Sequence, residues 1–208
     1  AGKPVVKDGE VVNFHYISGF HFRISHEVKG AGDEVLPYLY ENRKLCNTLI
    51  LSPPGFGKTT LLRDLIRRIS DGNENGAGLN VGVVDERSEI GGAYLGIPQN
   101  DLGMRTDLLD DCPKAQGMYM LLRSMGPQVI AVDELGGTED TEAVLKISRC
   151  GVRMVMTAHS ADLSELLQKK DMECLFESHI FERLIFIKAP MGERSLFEVY
   201  DGSFGKIR

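Results

Sequence analysis

The spacing of hydrophobic residues alternates between two patterns along the chain. In the middle, short apolar runs are followed by longer segments in which apolar residues recur every three or four positions. The first pattern is typical of buried strands and the second of amphipathic helices. The predicted strands cover 47–52, 80–84, 128–132 and 152–157, and the predicted helices cover 58–70, 113–125, 138–149 and 162–167. Strands that alternate with helices indicate an α/β fold with a mostly parallel central sheet, which binds ligands at the carboxyl ends of its strands.

The N-terminal part of the chain follows a different pattern. Apolar and polar residues alternate with period two over 11–25, which predicts a strand or a hairpin that turns at Ser18-Gly19. A short helix is expected over 34–45. We therefore expect an N-terminal β extension with a short helix over 1–46, either packed on the core or left from a truncated N-terminal region, and an α/β domain over 47–208.

The positions of glycine and proline predict loops and turns in three further segments. The stretch 72–78 is rich in Gly and Asn and is expected to be an exposed loop. Residues 90–111 contain several glycines and few helical signals, so they are predicted to be a long functional loop without regular structure. Near the C-terminus, 183–188 and 196–200 predict the two strands of a β-hairpin around Met191-Gly192.

The bulk composition narrows the class of protein. A chain of 208 residues with 42% hydrophobic and 26% charged residues suits one α/β domain with a substantial core. The net charge of −6 argues against a surface devoted to nucleic acid, and no apolar run approaches the roughly 20 residues that cross a bilayer. The cysteines are scattered, so we expect no zinc site, no disulfide framework and a reducing cytoplasmic compartment. Because the chain opens with Ala1, it is expected to lack a natural N-terminal region.

The strongest local motif is a phosphate-binding loop over Ser52–Thr60. It lies between a predicted strand and a predicted helix, where backbone N–H groups and the positive end of the helix dipole attract phosphate. In this pattern Lys58 reaches the β- and γ-phosphates and the Thr59 hydroxyl binds Mg²⁺. The first position, normally Gly, is Ser52, and a chance Gly-Lys-Thr turn is the alternative interpretation. The candidate nucleotide-binding residues are Pro54, Gly55, Phe56, Gly57, Lys58, Thr59 and Thr60.

A pair of carboxylates follows the predicted strand 128–132. At the end of this strand, Asp133 is expected to contact Mg²⁺ through its water shell. Glu134 is placed to orient or deprotonate the attacking water. The alternative is an acidic strand end that caps a helix. Combined with the phosphate loop, the pair predicts ATP hydrolysis and not binding alone.

Polar residues also follow two other predicted strands. His159, supported by Thr157, is the candidate sensor of the γ-phosphate, and the alternative is a histidine that binds a nearby carbonyl. Asp85, Glu86 and Glu89 are candidates to bind a metal-bound water or to brace an arginine. For these three, a solvated charged turn is the alternative.

Arginine side chains complete the set of candidates. Transfer of a γ-phosphoryl group spreads negative charge over three oxygens, which an arginine from a neighbouring subunit can stabilise. The candidates for such a finger, or for a sensor, are Arg87, Arg105 and Arg123. A surface or structural role is the alternative for each, but at least one is expected to act across a subunit boundary.

Several longer runs of sequence resemble one protein family. The runs are VDERSEI at 84–90, PQND at 98–101, RTDLL at 105–109, CPKAQ at 112–116, LRSM at 122–125 and TAH at 157–159. Over about residues 20–200 the chain resembles the stage III sporulation protein AA family. That family belongs to the RecA-like ATPases and is similar to the type II and type IV secretion ATPases. The resemblance therefore implies a RecA-like P-loop ATPase.

The same resemblance implies roles for single residues and for the whole protein. The segment Asp85–Glu89 would correspond to the acidic box of the secretion ATPases, Glu134 to their catalytic glutamate and His159 to their histidine box. It implies ATP and Mg²⁺ as ligands and a hexameric ring on the cytoplasmic face of a membrane. The expected partners are membrane-embedded sporulation channel proteins, and the expected function is to drive the channel between mother cell and forespore. Ser52 departs from the usual loop pattern, and the family's usual N-terminal region is expected to be absent or shortened.

Other functions stay open on the sequence alone. A RecA-like nucleic-acid motor is disfavoured by the acidic net charge and by the lack of a basic stretch with aromatic residues for base stacking. A nucleotide-gated assembly module would bind ATP and hydrolyse little of it. A small-molecule kinase is disfavoured because the sequence indicates no lid and no second substrate pocket.

Overall fold

The computed structural model describes residues 1–20, 27–190 and 196–208. The strands are β1 (Lys3–Lys7), β2 (Glu10–His15), β3 (Tyr40–Glu41), β4 (Lys44–Leu45), β5 (Thr48–Ser52), β6 (Gly72–Asn73), β7 (Gly76–Ala77), β8 (Val81–Asp85), β9 (Thr106–Asp110), β10 (Val129–Val132), β11 (Arg153–His159), β12 (Arg183–Ile187) and β13 (Phe197–Asp201). The helices are a 3₁₀ turn (Leu36–Leu39), α1 (Lys58–Asp71), α2 (Lys114–Ser124), α3 (Thr138–Ser148), α4 (Leu163–Leu167) and α5 (Glu173–Glu177).

A seven-stranded sheet forms the centre of the fold, in the order β13-β12-β5-β11-β10-β8-β9. Neighbouring strands are parallel except β13, which is antiparallel to β12. The predicted α/β fold with its C-terminal hairpin is confirmed, while the predicted turn at Met191-Gly192 lies outside the described residues. Because β5, β8, β10 and β11 are parallel, they end at one edge of the sheet, and the candidate residues follow them there.

Helices cover both faces of this sheet. Side chains of α2, α3 and α5 pack on one face with Leu49 and Leu51 of β5. Side chains of α1 pack on the other face with Ile50. Successive strand residues point to opposite faces, so a strand that is covered on both faces is apolar throughout. This burial is the reason why short apolar runs predict the central strands.

Several predicted segments are wrong in detail, and one helix is not predicted. The exposed loop predicted over 72–78 is the mostly half-buried hairpin of β6 and β7. The segment 34–45 contains only a 3₁₀ turn, which begins next to Pro37, and continues into the small β3–β4 hairpin. The loop predicted over 90–111 is shorter, because its last residues form the edge strand β9 beside β8. Polar residues interrupt the apolar run of β9, as is tolerated on a partly exposed edge. The short helix α5 has no clear pattern in the sequence.

The N-terminal extension is a hairpin of β1 and β2 that turns at Asp8-Gly9 and not at Ser18-Gly19. Asp8 (φ 52°) and Gly9 (φ 88°) both have positive φ, as a type I′ turn requires. The predicted strand ends at His15, and its predicted continuation over 21–25 lies outside the described residues. The division at residue 46 stays a prediction. In the part of the chain that the structure describes, no helix is long and apolar enough to cross a membrane.

Candidate nucleotide-binding site

The phosphate loop joins β5 to α1 at the carboxyl edge of the sheet. Gly55 (φ 80°) and Gly57 (φ 90°) both have the left-handed backbone conformation, which residues with side chains rarely adopt. The first N–H groups of a helix have no partner within it and attract anions. The loop therefore has the backbone of a phosphate-binding turn, with Lys58 as the first residue of the helix.

The buried side chain of Lys58 is directed toward the start of the loop. Its ammonium nitrogen lies 2.9 Å from the Ser52 carbonyl oxygen, 3.2 Å from Ser52 Oγ, 3.1 Å from the Pro53 carbonyl oxygen and 3.0 Å from His159 Nδ1. Burial lowers the pKa of Lys58, and two nearby carboxylates oppose this shift. The cation is thus held at the base of the loop, where a phosphate would bind.

Asp133 connects the phosphate loop to the neighbouring strands. Thr59 Oγ1 donates a hydrogen bond to Asp133 Oδ2 at 2.5 Å, and the Thr157 hydroxyl donates to Asp133 Oδ1. Hydroxyl and carboxylate oxygens are ligands that Mg²⁺ prefers. Thr59 and Asp133 therefore provide the type of oxygen atoms that a magnesium ion needs beside Lys58.

Glu134 follows Asp133 and contacts three neighbours. Its φ is 54°, which is uncommon for a residue other than Gly, and such backbone strain concentrates at functional sites. Its N–H donates to Thr157 Oγ1 at 2.8 Å. Its carboxylate lies 2.7 Å from Arg87 Nη1 through Oε2 and 3.2 Å from His159 Nε2 through Oε1. The side chain is therefore fixed at the edge of the sheet by residues from two other segments.

His159 connects Lys58 with Glu134. It ends β11 and is paired in register with Ser52 of β5. Because the Lys58 ammonium can only donate, Nδ1 accepts, and Nε2 carries the proton that Glu134 accepts. Both ring nitrogens are used in this way. The alternative interpretation, a ring that binds a nearby carbonyl, does not describe this structure.

Nine of the candidate residues line one open cleft of about 500 Å³. Two of the candidate nucleotide-binding residues do not line it, and neither does Asp133. Phe56 packs against the apolar cluster around α1, and Thr60 lies where α1 packs closely against Glu27 and Asp101. The cleft is lined by Pro54, Gly55, Gly57, Lys58, Thr59, Arg87, Glu89, Glu134 and His159.

The carboxylate of Asp85 is buried and binds backbone. Oδ1 accepts from the Glu89 N–H at 2.9 Å, and Oδ2 accepts from the N–H groups of Ile90 and Gly91 at 2.9 and 2.8 Å. From the other side, Arg63 of α1 donates to the carbonyl oxygens of Glu89 and Ile90 at 2.6 and 2.7 Å. Asp85 therefore holds the turn in place and is buried, so a solvated turn does not describe its position, while contact with a metal-bound water stays a prediction.

The two other acidic residues of this segment have different surroundings. Glu86 forms an ion pair with Lys114 at the start of α2, with 2.7 Å between Oε2 and Nζ, and this contact lowers the pKa of Glu86. Glu89 lines the cleft together with Arg87. The segment predicted as one acidic box thus contains a structural carboxylate, an ion-paired carboxylate and a carboxylate of the cleft.

The candidate arginines are far apart. Arg87 contacts Glu134 of the same chain. Arg105 donates from Nη1 to the Ser70 carbonyl oxygen at 3.3 Å, at the end of α1 opposite to the phosphate loop. Arg123 is exposed in the last turn of α2. Arg87 therefore belongs to the cleft of its own chain, and the other two do not line that cleft.

Three basic residues around the site are not predicted from the sequence. Arg63 braces the turn after β8, Lys114 pairs with Glu86, and Lys169 donates to the His159 carbonyl oxygen. These contacts join segments that are distant along the chain or not distinguished by any pattern. Of these three, only Arg63 has a signal in the sequence that could have identified it, because it is a charged residue among the buried apolar positions of α1.

We expect Asp85→Asn to lower the free energy of unfolding by about 1–3 kcal/mol, because an amide nitrogen cannot accept and a buried N–H loses its partner. Burial raises the pKa of Asp85 above its ordinary value of 3.8. The folded state therefore keeps a proton that the unfolded state releases, and the stability of the wild type falls as pH rises from the ordinary pKa through the raised one. The variant should lack this pH-dependent loss.

Urea unfolding at several pH values measures both effects, with Asp107→Asn on the exposed side of β9 as the matched control. Equal stability of Asp85→Asn and the wild type would contradict the structural role of Asp85.

Comparison with solved structures defines the class of this fold. The ATPase DotB from Legionella pneumophila matches with a TM-score of 0.62 and 18% identity, over 86% of this chain and 52% of that chain. The pilus retraction motor PilT, solved with bound ADP, matches with a TM-score of 0.57 and 16% identity, over 80% of this chain and 49% of that chain. Identities this low establish the fold alone, which is the RecA-like fold of secretion and pilus ATPases.

The sequence comparison identifies the family. The model of the family described as "Sporulation stage III, protein AA" matches residues 1–206, so the chain belongs to this family, and the predicted resemblance is confirmed. "Stage III sporulation protein AA" of Bacillus subtilis (strain 168) is 43% identical over 201 residues. These residues are 97% of this chain and 65% of that protein, so the chain spans just under two thirds of this relative.

Proposed function

We propose that this chain is the Mg²⁺-dependent ATPase domain of a secretion-ATPase-like motor. The observation that carries the proposal is the meeting of Lys58, Thr59 and Glu134 at one cleft, with Asp133 hydrogen-bonded to Thr59 beside it. Transfer of a phosphoryl group to water needs a phosphate-binding cation, oxygen ligands for a metal and a group that positions the water. These three groups supply those parts, and the fold shared with known ATPases supports the same activity.

The residues of the chain divide the reaction between them. Lys58 and the first N–H groups of α1 bind the β- and γ-phosphates. Glu134 accepts a proton from the water whose oxygen bonds to the γ-phosphorus, while the bond between that phosphorus and the bridging oxygen breaks, leaving ADP and inorganic phosphate. Thr59 would hold Mg²⁺ directly and Asp133 through water, and the ion supplies charge neutralisation on the phosphates when bound.

Two further residues are assigned as sensors. His159 contacts both Lys58 and Glu134, so its position can report whether a γ-phosphate is bound. Arg87 is assigned to the site of its own subunit, because it pairs with Glu134 of the same chain. Arg105 and Arg123 stay candidates for a finger that enters the site of a neighbouring subunit.

The wider function is proposed from the family and the fold. We infer a hexameric ring at the cytoplasmic face of a membrane on the mother-cell side. Hydrolysis would there energise membrane-embedded sporulation channel proteins between mother cell and forespore. Membership of a sporulation family and the likeness of the fold to DotB and to a pilus retraction motor support this inference.

A nucleotide-gated assembly module is the second candidate. It is favoured by the contacts of Glu134, whose two carboxylate oxygens are bonded to Arg87 and to His159. Glu134 can therefore accept a proton from water only at the lone pairs that these two contacts leave open. A protein that kept both contacts would bind ATP, assemble and release little phosphate.

The test measures phosphate release by the purified chain at rising protein concentration, and its size with and without ATP and Mg²⁺. We expect release that stops when EDTA removes Mg²⁺ and that rises faster than linearly with protein concentration, because a neighbouring arginine completes the site. ATP-dependent assembly without phosphate release would favour the second candidate. Absence of ATP binding would refute both, and stimulation by DNA would support a nucleic-acid motor instead.

A further inference from the structure

We propose that the Ser52 hydroxyl is a positioning group that sets the affinity of the site for nucleotide, because it competes with phosphate for the Lys58 ammonium. The inference rests on the proposed nucleotide-binding function and concerns the position at which this phosphate loop departs from the usual pattern. A glycine there would offer Lys58 only a backbone carbonyl. Serine adds a side-chain oxygen.

The hydroxyl of Ser52 is oriented by its own neighbour. The residue is fully buried, and its Oγ donates to the Pro53 carbonyl oxygen at 2.8 Å. A serine hydroxyl has one hydrogen and two lone pairs. Since the hydrogen is used by Pro53, the contact of 3.2 Å between Oγ and the Lys58 ammonium nitrogen is one in which the hydroxyl accepts.

The ammonium of Lys58 has more acceptors than it has hydrogens. Four acceptor atoms lie within 3.2 Å of it, namely the Ser52 carbonyl oxygen and hydroxyl, the Pro53 carbonyl oxygen and His159 Nδ1. An ammonium group has three N–H donors. A phosphate oxygen can therefore accept from Lys58 only if one of these contacts is given up, and each additional acceptor makes that exchange less favourable.

The sheet positions the residues that supply three of these acceptors. Ser52 and His159 are paired in register on the adjacent strands β5 and β11, and the Ser52 carbonyl oxygen also accepts from the Ser160 N–H at 3.3 Å. Two central strands of the sheet thus hold the position of the ammonium. Because the two strands keep these acceptors beside the ammonium, removal of the hydroxyl should release Lys58 toward phosphate more easily.

The experiment measures binding of ADP with Mg²⁺ to the full chain by calorimetry. We expect Ser52→Ala and Ser52→Gly to bind ADP about three- to tenfold more tightly than the wild type, which is the range of one hydrogen bond. In turnover assays the KM for ATP should fall by a similar factor while kcat changes little. A change confined to KM separates an effect on Lys58 from general damage to the site.

Thr48→Val is the matched control, because it removes another buried hydroxyl from the same strand. Thr48 Oγ1 donates to the Cys46 carbonyl oxygen at 3.0 Å and has no part in the cleft. This variant should bind ADP as the wild type does, even if it is less stable. If Ser52→Ala does not fold, Ser52→Gly, which restores the usual motif, decides the question.

The outcomes separate the two proposals. If the wild type binds ADP but the Ser52 variants bind it equally or more weakly, the proposed role of Ser52 is wrong. The proposed function is then left intact. A wild type that binds no nucleotide would overturn both.

Discussion

Glu134→Gln is expected to leave ATP binding intact and to reduce phosphate release by about 10²- to 10⁴-fold, the range for loss of a general base. Glutamine has nearly the shape of glutamate, but it cannot accept a proton from water. Its amide can still accept from Arg87 or from His159, so the cleft should keep its form. Release of phosphate and binding of a fluorescent ATP analogue, measured on the same preparation, check the two parts of this expectation.

Glu139→Gln is the control for this result. Glu139 lies five positions further on, exposed in the first turn of α3, and outside the cleft. The same chemical change there should leave turnover unaltered. If Glu134→Gln hydrolyses ATP at the rate of the wild type, another group activates the water and the assignment of Glu134 is wrong.

Lys58→Ala is expected to weaken binding of ATP and of ADP by about ten- to a hundredfold, and to reduce turnover with it. The variant removes the cation that binds the phosphates, and hydrogen bonds to charged groups contribute about 1.5–3 kcal/mol each. It also leaves the four acceptors around the ammonium without their donor. Calorimetric titration with ADP and with a non-hydrolysable ATP analogue measures the loss.

An exposed lysine provides the control for Lys58. Lys170 carries the same charge on the surface of the chain, so Lys170→Ala should bind both nucleotides as the wild type does. Near-normal affinity of Lys58→Ala would show that the loop Ser52–Thr60 is not the phosphate site, whatever the activity of the chain.

Much of the fold can be predicted from the sequence because it depends on residues that are close together along the chain. Strands β5 and β10 are buried on both faces and are therefore short apolar runs, and the glycines of the phosphate loop are required by its positive φ angles. The same reasoning fails for β9, which lies at the edge of the sheet with partly exposed residues. It also fails for the N-terminal hairpin, whose turn depends on Asp8-Gly9 and not on the alternation that follows.

The candidate site also has features that the sequence predicts and features that it does not. The types of residue, namely a lysine after glycines and two carboxylates after a strand, can be predicted because each motif lies within a few positions. The contacts between these residues cannot be predicted from the sequence. Lys58 and His159 are 101 positions apart, and Arg87 and Glu134 are 47 positions apart. Their contacts depend on which strands are neighbours, and strand order does not follow chain order here.

The sequence by itself determined the α/β class, the phosphate loop and the likeness to a sporulation family, because these depend on local periodicity and on short motifs. Only the tertiary structure decided that Asp85 binds backbone, that Arg87 pairs with Glu134 in its own chain and that Ser52 lies beside His159. The physical reason is that these contacts depend on which parallel strands are neighbours in the sheet. Parallel strands are joined by crossover connections that contain helices, so segments distant along the chain meet at the carboxyl ends of the strands.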